Sequence, residues 1–202
     1  MSDVTIGITC FNAADTIERA IKSALAQQGP VKEIIVVDDA STDNSAALIQ
    51  RMAQADARIK FIPKGQNGGY PAALNSIINA AQGHYIAFFD DDDESDPGRI
   101  TAQLERLKAY QAAHGDASVL CYANRRVFRA GFDKPAAVVH AIGRKPVEPH
   151  GAMVADFLLW HAEPRGYSWG QFGSCALMAA RQVFIAAGGF DESFRRCAEW
   201  DL

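Results

Sequence analysis

The chain has 202 residues, 49% of them hydrophobic, which suits one compact α/β domain with a buried core. Its net charge of −4 argues against a nucleic-acid binder, which usually carries a basic face. Its four cysteines include no C-x-x-C pair, so they read as buried or free thiols in a reducing compartment and not as a disulfide frame or zinc site.

Val4 to Cys10 is a β-rich run that begins almost at the N-terminus, without the charged and apolar regions of a signal peptide. Asp15 and Glu18 stand three apart and predict an N-cap with its capping-box partner. Ile17, Ala20, Ile21, Ala24 and Leu25 then trace one helical face, which Gly29-Pro30 stops. Glu33 to Val37 is a nearly all-apolar run ending in Asp38-Asp39, as expected of a parallel strand covered on both faces. Leu48, Ile49 and Met52 mark a second helix. Arg58 to Ile62 is a short strand, and Pro63 to Gly69 a loop. Leu74, Ile77, Ile78 and Ala81 predict a third helix with Gly83 as its C-cap. His84 to Phe89 is a fourth strand that runs into Asp90-Asp91-Asp92-Asp93-Glu94.

Four β-then-α units in about 95 residues predict a doubly wound, mostly parallel, Rossmann-like central sheet flanked by helices. Ligands of such sheets sit at the carboxyl ends of the strands, where Thr9, Asp38, Asp39 and the Asp90–Glu94 run all fall. The second half is less regular. Asp96-Pro97 predicts a helix start in the N-cap/N1 manner, and Ser118 to Ala123 a strand. Residues 124–150 hold two short strands and several Gly/Pro turns. Met153 to Trp160 reads as a helix, Gly173 to Ala179 as a strand, and Gln182 to Ala187 as a helix ended by Gly188-Gly189. No apolar stretch reaches the ~18–20 residues of a membrane span. The final Ala198-Glu199-Trp200-Asp201-Leu202 has no stop signal, which predicts an interruption inside an element of a longer protein. A single domain over 1–202 is expected, in two functional halves, 1–95 and 96–202.

The acidic run carries the strongest chemical signal. Adjacent carboxylates repel one another, and solvent or a divalent cation relieves that repulsion. Hard oxygen ligands on a short loop suit Mg²⁺ or Mn²⁺, which take one or two carboxylates plus phosphate oxygens. A solvated acidic loop is the plainer reading, but the position after a buried strand favours a site. Asp38-Asp39 could cap the next helix, or a buried carboxylate there could accept the imide N–H of uracil. Phe11 could lie against a base or in the core. Asn67-Gly68-Gly69 could bring backbone near a phosphate or form a turn. Glu199 is a candidate general base.

Thr9-Cys10-Phe11-Asn12, Glu33 to Ser41 with Asp43, Asn67-Gly68, Ala73-Leu74-Asn75, Tyr85 to Asp93 with Pro97 and Arg99, Gly188 to Glu192, and Glu199 to Leu202 together resemble the family 2 glycosyltransferases. These are inverting enzymes of the GT-A fold. The resemblance implies a donor, a UDP-sugar, held at Thr9, Phe11, Asp38, Asp39 and Asn67, with Asp90 and Asp91 near the ribose and sugar. It implies Mn²⁺ or Mg²⁺ at Asp92, within the family's D-x-D motif, and Glu199 as catalytic base toward a carbohydrate or lipid-linked acceptor in cell-surface glycan synthesis. The final motif departs from the family's E-D-x-D-L, since Ala198 and Glu199 stand at its first two positions, which leaves Asp201 as an alternative base. Ala73-Leu74-Asn75 lacks the middle Arg of many relatives. A cytoplasmic place is implied, either free or peripheral at the inner membrane. A catalytically weak nucleotide-sugar-binding relative and a metal-dependent nucleotidyltransferase are the rival readings.

Overall fold

The computed structural model describes residues 3–115, 118–143 and 147–194. Its first half repeats strand and helix: β1 (Val4–Cys10), α1 (Ile17–Leu25), β2 (Val31–Asp38), α2 (Ser45–Ala55), β3 (Ile59–Pro63), α3 (Tyr70–Ala80) and β4 (Tyr85–Phe89). The second half adds α4 (Arg99–His114), β5 (Leu120–Tyr122), β6 (Arg125–Val127), β7 (Ala137–Val139), α5 (Ala152–Trp160), β8 (Leu177–Ala180) and α6 (Arg181–Ala186).

The main sheet has the order β3-β2-β1-β4-β8-β5. β1, β2, β3 and β4 run parallel, and β8 is antiparallel to both β4 and β5. Ile8 pairs with Val36 on one side and Phe89 on the other, so β1, β2 and β4 end together at one edge. That shared register is what makes a site there. β6 and β7 form a separate two-stranded sheet.

Alternation along each strand divides the core in two. Ile6, Ile8, Ile34, Val36, Ala87 and Phe89 face one side, against Ile17 and Ile21 of α1, Ile49 of α2 and Leu104 of α4. Ile35, Val37, Ile86 and Phe88 face the other, against Leu74, Ile77 and Ile78 of α3 and Phe184 of α6. This is why both strands read as continuous apolar runs. α3 lies close enough to the sheet that a Cβ on Gly7 would sit 2.4 Å from Ile77 Cγ2.

The expected α/β architecture with a mostly parallel sheet holds, but several element ends differ. Asp15 does not cap α1. The helix starts at Ile17 after Thr16, with no side-chain cap. The amides before it are satisfied across the fold: Asn12 N–H donates to Ser41 Oγ, Ala13 N–H to Ser45 Oγ and Ala14 N–H to Asp43 Oδ2. Glu18 is left to pair with Lys22 and Arg51. Gly83 does not cap α3, which ends where Ala81 turns extended. Glycine is required at 83 because a Cβ there would lie 2.5 Å from the Thr5 backbone nitrogen. α4 starts at Arg99, after Gly98 and not at Asp96-Pro97, and the Asp96 carbonyl accepts from Arg99 N–H. Residues Ser174–Ala176 form a 3-10 turn, and only Leu177–Ala180 of the expected last strand pairs.

Candidate functional site

A cavity of about 470 Å³ opens at the carboxyl edge of the sheet. β1 contributes Thr9, Cys10 and, just past its end, Phe11. Asp39 follows β2, while Asn67 and Gly69 precede α3 and Tyr70 and Ala73 lie in its first turns. Asp90, Asp91 and Asp92 follow β4. Phe11 lines this cavity and stands 49% exposed, unlike the buried aromatics of the core.

The adjacent aspartates after β2 part company. Asp38 is buried and accepts from the N–H and the hydroxyl of Ser41, which folds the following turn. Asp38 is not among the residues that line the cavity. Asp39 is. Its N–H donates to the Cys10 carbonyl, extending the β1–β2 pairing by one residue, and Ala40 then turns into the left-handed region at φ 62°. The buried Asp39 carboxylate accepts from Gly68 N–H at 3.0 Å and Gly69 N–H at 2.7 Å, and Lys64 Nζ lies 2.7 Å away. Asn67 Nδ2 donates to the Asp39 carbonyl. A carboxylate has about four lone-pair positions. Three are filled, so by this count one acceptor position remains.

The loop after β4 gathers negative charge in a half-buried place. Burial first, then Asp93 and its other acidic neighbours, pushes the Asp90 carboxyl up to about 6, against the opposing bond from Tyr70. The Tyr70 hydroxyl lies 3.2 Å from Asp90 Oδ1 and 2.6 Å from Ser174 Oγ, joining α3 to the turn before β8. Burial also raises Asp91, although Phe11 N–H donates to its Oδ2 at 3.1 Å. Arg19 donates to the Asp92 carbonyl.

Behind this loop lies the buried guanidinium of Arg99. It donates to the Phe88 carbonyl, Ser95 Oγ and Gln103 Oε1, and its Cζ stands 4.3 Å from the centroid of the Phe89 ring. Burial lowers its pKa to about 10, which leaves it charged at neutral pH and electrostatically opposed to Asp90 and Asp93. Ligand atoms of Asp90, Asp93 and Cys175 lie within 4.8 Å of one another. Burial, then the charge of Asp90, pushes the Cys175 thiol up to about 12, and a sulfur ligand is soft where Mn²⁺ and Mg²⁺ prefer oxygen. The carboxylates are the better donors. Several oxygen ligands on one short loop, with a carboxyl already strained toward protonation, fit a hard divalent cation such as Mn²⁺ or Mg²⁺.

Of the residues singled out from sequence, Thr9, Phe11, Asp39, Asn67, Asp90, Asp91 and Asp92 meet around one cavity. Asp38 packs behind it, and Glu199, with Asp201, lies outside the described residues. Sequence reasoning passed over Tyr70, Ser174 and Cys175, and named Arg99 only within the resemblance. Tyr70 directly follows the Gly68-Gly69 pair and Arg99 lies just past the acidic run, so both stood beside a recognised signal. Ser174 and Cys175 had none.

Comparison with known proteins adds three findings. The sequence profile of Glycosyl transferase family 2 matches residues 5–143. The succinoglycan biosynthesis protein ExoO of Rhizobium meliloti is 45% identical over 107 residues, which is 53% of this chain and 30% of that protein. Among solved structures, S. aureus TarS 1-349 in complex with UDP superposes with a TM-score of 0.66 at 17% identity, covering 98% of this chain and 53% of that one. A mannosyltransferase of Pyrobaculum calidifontis, in complex with GDP-Man and Mn²⁺, does so with a TM-score of 0.60 at 18% identity, covering 94% and 47%. The chain thus spans about half of these structures, and under a third of ExoO. The structural likenesses bear out the expected GT-A fold.

Proposed function

The chain belongs to glycosyl transferase family 2, and on that basis we propose that it moves a sugar from a UDP-sugar to an acceptor hydroxyl, with inversion at the anomeric carbon. One observation carries this reading: the ends of β1, β2 and β4 bring Asp39 and the Asp90–Asp92 carboxylates to a single cavity. Asp39 and Phe11 hold the base, Asp39 by its one remaining acceptor position and Phe11 by its exposed ring. A single open position suits the lone imide N–H of uracil better than the paired donors on the guanine edge. Thr9 and Asn67 complete this end of the cavity, with Asp38 buttressing it from behind. Asp90 and Asp91 face the ribose and the sugar.

Asp92 would hold Mn²⁺ or Mg²⁺. A divalent ion bound there would supply Lewis-acid neutralisation of the charge on the departing diphosphate. Glu199 takes the proton from the acceptor hydroxyl. That oxygen bonds to the anomeric carbon as the bond to the diphosphate breaks, releasing UDP. General-base help of this kind contributes about 10²–10⁴-fold. ExoO bears a name from succinoglycan biosynthesis, which supports a role in cell-surface glycan synthesis with a carbohydrate or lipid-linked acceptor. Such an acceptor places the protein in the cytoplasm, at the inner face of the membrane.

Titration calorimetry with UDP and GDP, each with and without Mn²⁺, tests the donor site. Tighter binding of UDP than GDP, strengthened by Mn²⁺, is expected. Equal weak binding of both, unchanged by the metal, overturns the reading. A transfer assay over a panel of UDP-sugars then separates catalysis from binding alone.

A further inference from the structure

We infer that the β6–β7 hairpin docks this protein onto an anionic lipid bilayer. The hairpin stands apart from the main sheet, and every residue from Arg126 to Val138 is exposed. Phe128 is 51% exposed and Phe132, at the tip, 69%. Val138 lies opposite Arg126 across the pair, so Arg126, Phe128 and Val138 share a face. Gly131, at φ 80°, supplies the left-handed residue that turns the tip. Among the described residues nothing covers these two aromatic rings, which leaves apolar area on the surface of the loop.

Charge identifies the covering surface. The chain as a whole carries −4, yet residues 124–143 hold four basic side chains (Arg125, Arg126, Arg129 and Lys134) against one acidic, Asp133. Arg129 and Lys134 are exposed beside the two rings. Basic side chains alternating with aromatic ones match an anionic bilayer, whose headgroups attract the cations while the rings enter the boundary of the acyl region. An apolar protein partner would need no such local reversal of charge.

The hairpin is also tied to segments that flank those lining the cavity. Arg126 pairs with Asp96, in the loop that follows the acidic run, and Arg125 reaches Cys175 Sγ and Gln171 Oε1. A bilayer held by Phe128 and Phe132 therefore lies near the donor site. A lipid-linked acceptor would stand there, a consequence that rests on the transfer reaction proposed above.

Flotation of the 202-residue chain with vesicles tests the docking itself. Binding is expected to vesicles of phosphatidylcholine mixed with phosphatidylglycerol, and to fall as salt rises. Phosphatidylcholine alone should bind far less. Arg129→Ala with Lys134→Ala should weaken binding about 30-fold, taking each basic residue at the surface as worth about a fivefold change. Phe128→Ser with Phe132→Ser should abolish it. A Phe132→Trp variant, which keeps the aromatic tip, should be quenched by brominated lipid in the anionic vesicles. Equal binding to both vesicle types, wild-type binding by the paired variants, or an unquenched tryptophan each overturns the inference. Self-association that Phe132→Ser removes, in a chain that does not float, assigns the face to a second copy and overturns it too. UDP affinity measured on the same samples reads the donor site independently, so loss of one result leaves the other standing.

Discussion

Asp38 and Asp39 are neighbours of the same chemistry, and the strand alternation sends one to a turn and the other to the cavity. Asp39 organises more than its own position, since Lys64, Gly68 and Gly69 all converge on its carboxylate. Asp39→Asn removes the charge while keeping the shape. It leaves Lys64 without its counterion and is expected to destabilise the fold by about 2–3 kcal/mol, measured by urea unfolding. UDP affinity should fall with it. The Asp39→Asn protein should keep the Asp38–Ser41 turn, because no bond joins that turn to the Asp39 side chain. Glu33 is a second buried carboxylate, at the other end of the sheet. Burial alone would raise its pKa, but Lys60, the Gln82 N–H and the Thr5 hydroxyl outweigh it and hold the carboxyl below its ordinary range. A depressed folded value means the stabilisation is complete above the unfolded pKa of ~4.3 and is lost as pH falls through the folded one. Wild type should therefore exceed Glu33→Gln in stability at neutral pH, with the gap closing below about pH 4 in acid titrations followed by circular dichroism. A gap that persists unchanged into acid would contradict this account.

At the level of elements, the helices of the first half owe their placing to close approach more than to capping. α1 and α3 both lack a side-chain cap, and α1 takes its missing acceptors from the loop before α2. That exchange joins the β1 and β2 loops into one platform under Phe11. Gly83 lies where the chain from α3 enters β4, against the Thr5 backbone. Gly83→Ala should cost about 2 kcal/mol, since the clash is with main chain that cannot rotate away. The melting temperature reads this directly, and an unchanged value would mean the strand can shift without loss. The four parallel strands were legible because each is a short apolar run, and those of β2 and β4 close on acids. The start of α1 was not. Asp15 and Glu18 have the spacing of a capping box, but Glu18 pairs instead with Lys22 and Arg51, while Ser41, Ser45 and Asp43 take the amides of residues 12–14. Gly173 to Ala176 leads directly into the apolar run of β8, yet Ser174 bonds to Tyr70, 104 residues earlier, and the chain forms a 3-10 turn there instead.

For the whole molecule, the proposed reaction needs a donor site and a base from opposite ends of the chain. Asp92→Ala should remove the strengthening of UDP binding by Mn²⁺ and abolish transfer. Glu199→Gln should leave UDP binding intact while lowering kcat by about 10²–10⁴-fold. Wild-type turnover by Glu199→Gln would shift the base to Asp201. Sequence alone determined the class of fold and which acids stand at the ends of its strands. Both depend on local pattern: strands of apolar residues, and acids placed where strands end. Only the tertiary structure decided that Asp39 and not Asp38 opens to the cavity, that Tyr70 joins Asp90 to Ser174, and that Arg99 lies charged behind the acidic loop. It alone decided, too, that a basic, aromatic hairpin is tied to segments that flank those lining the cavity. These depend on strand order and register, which bring together residues far apart in sequence, and no local period of the chain encodes them.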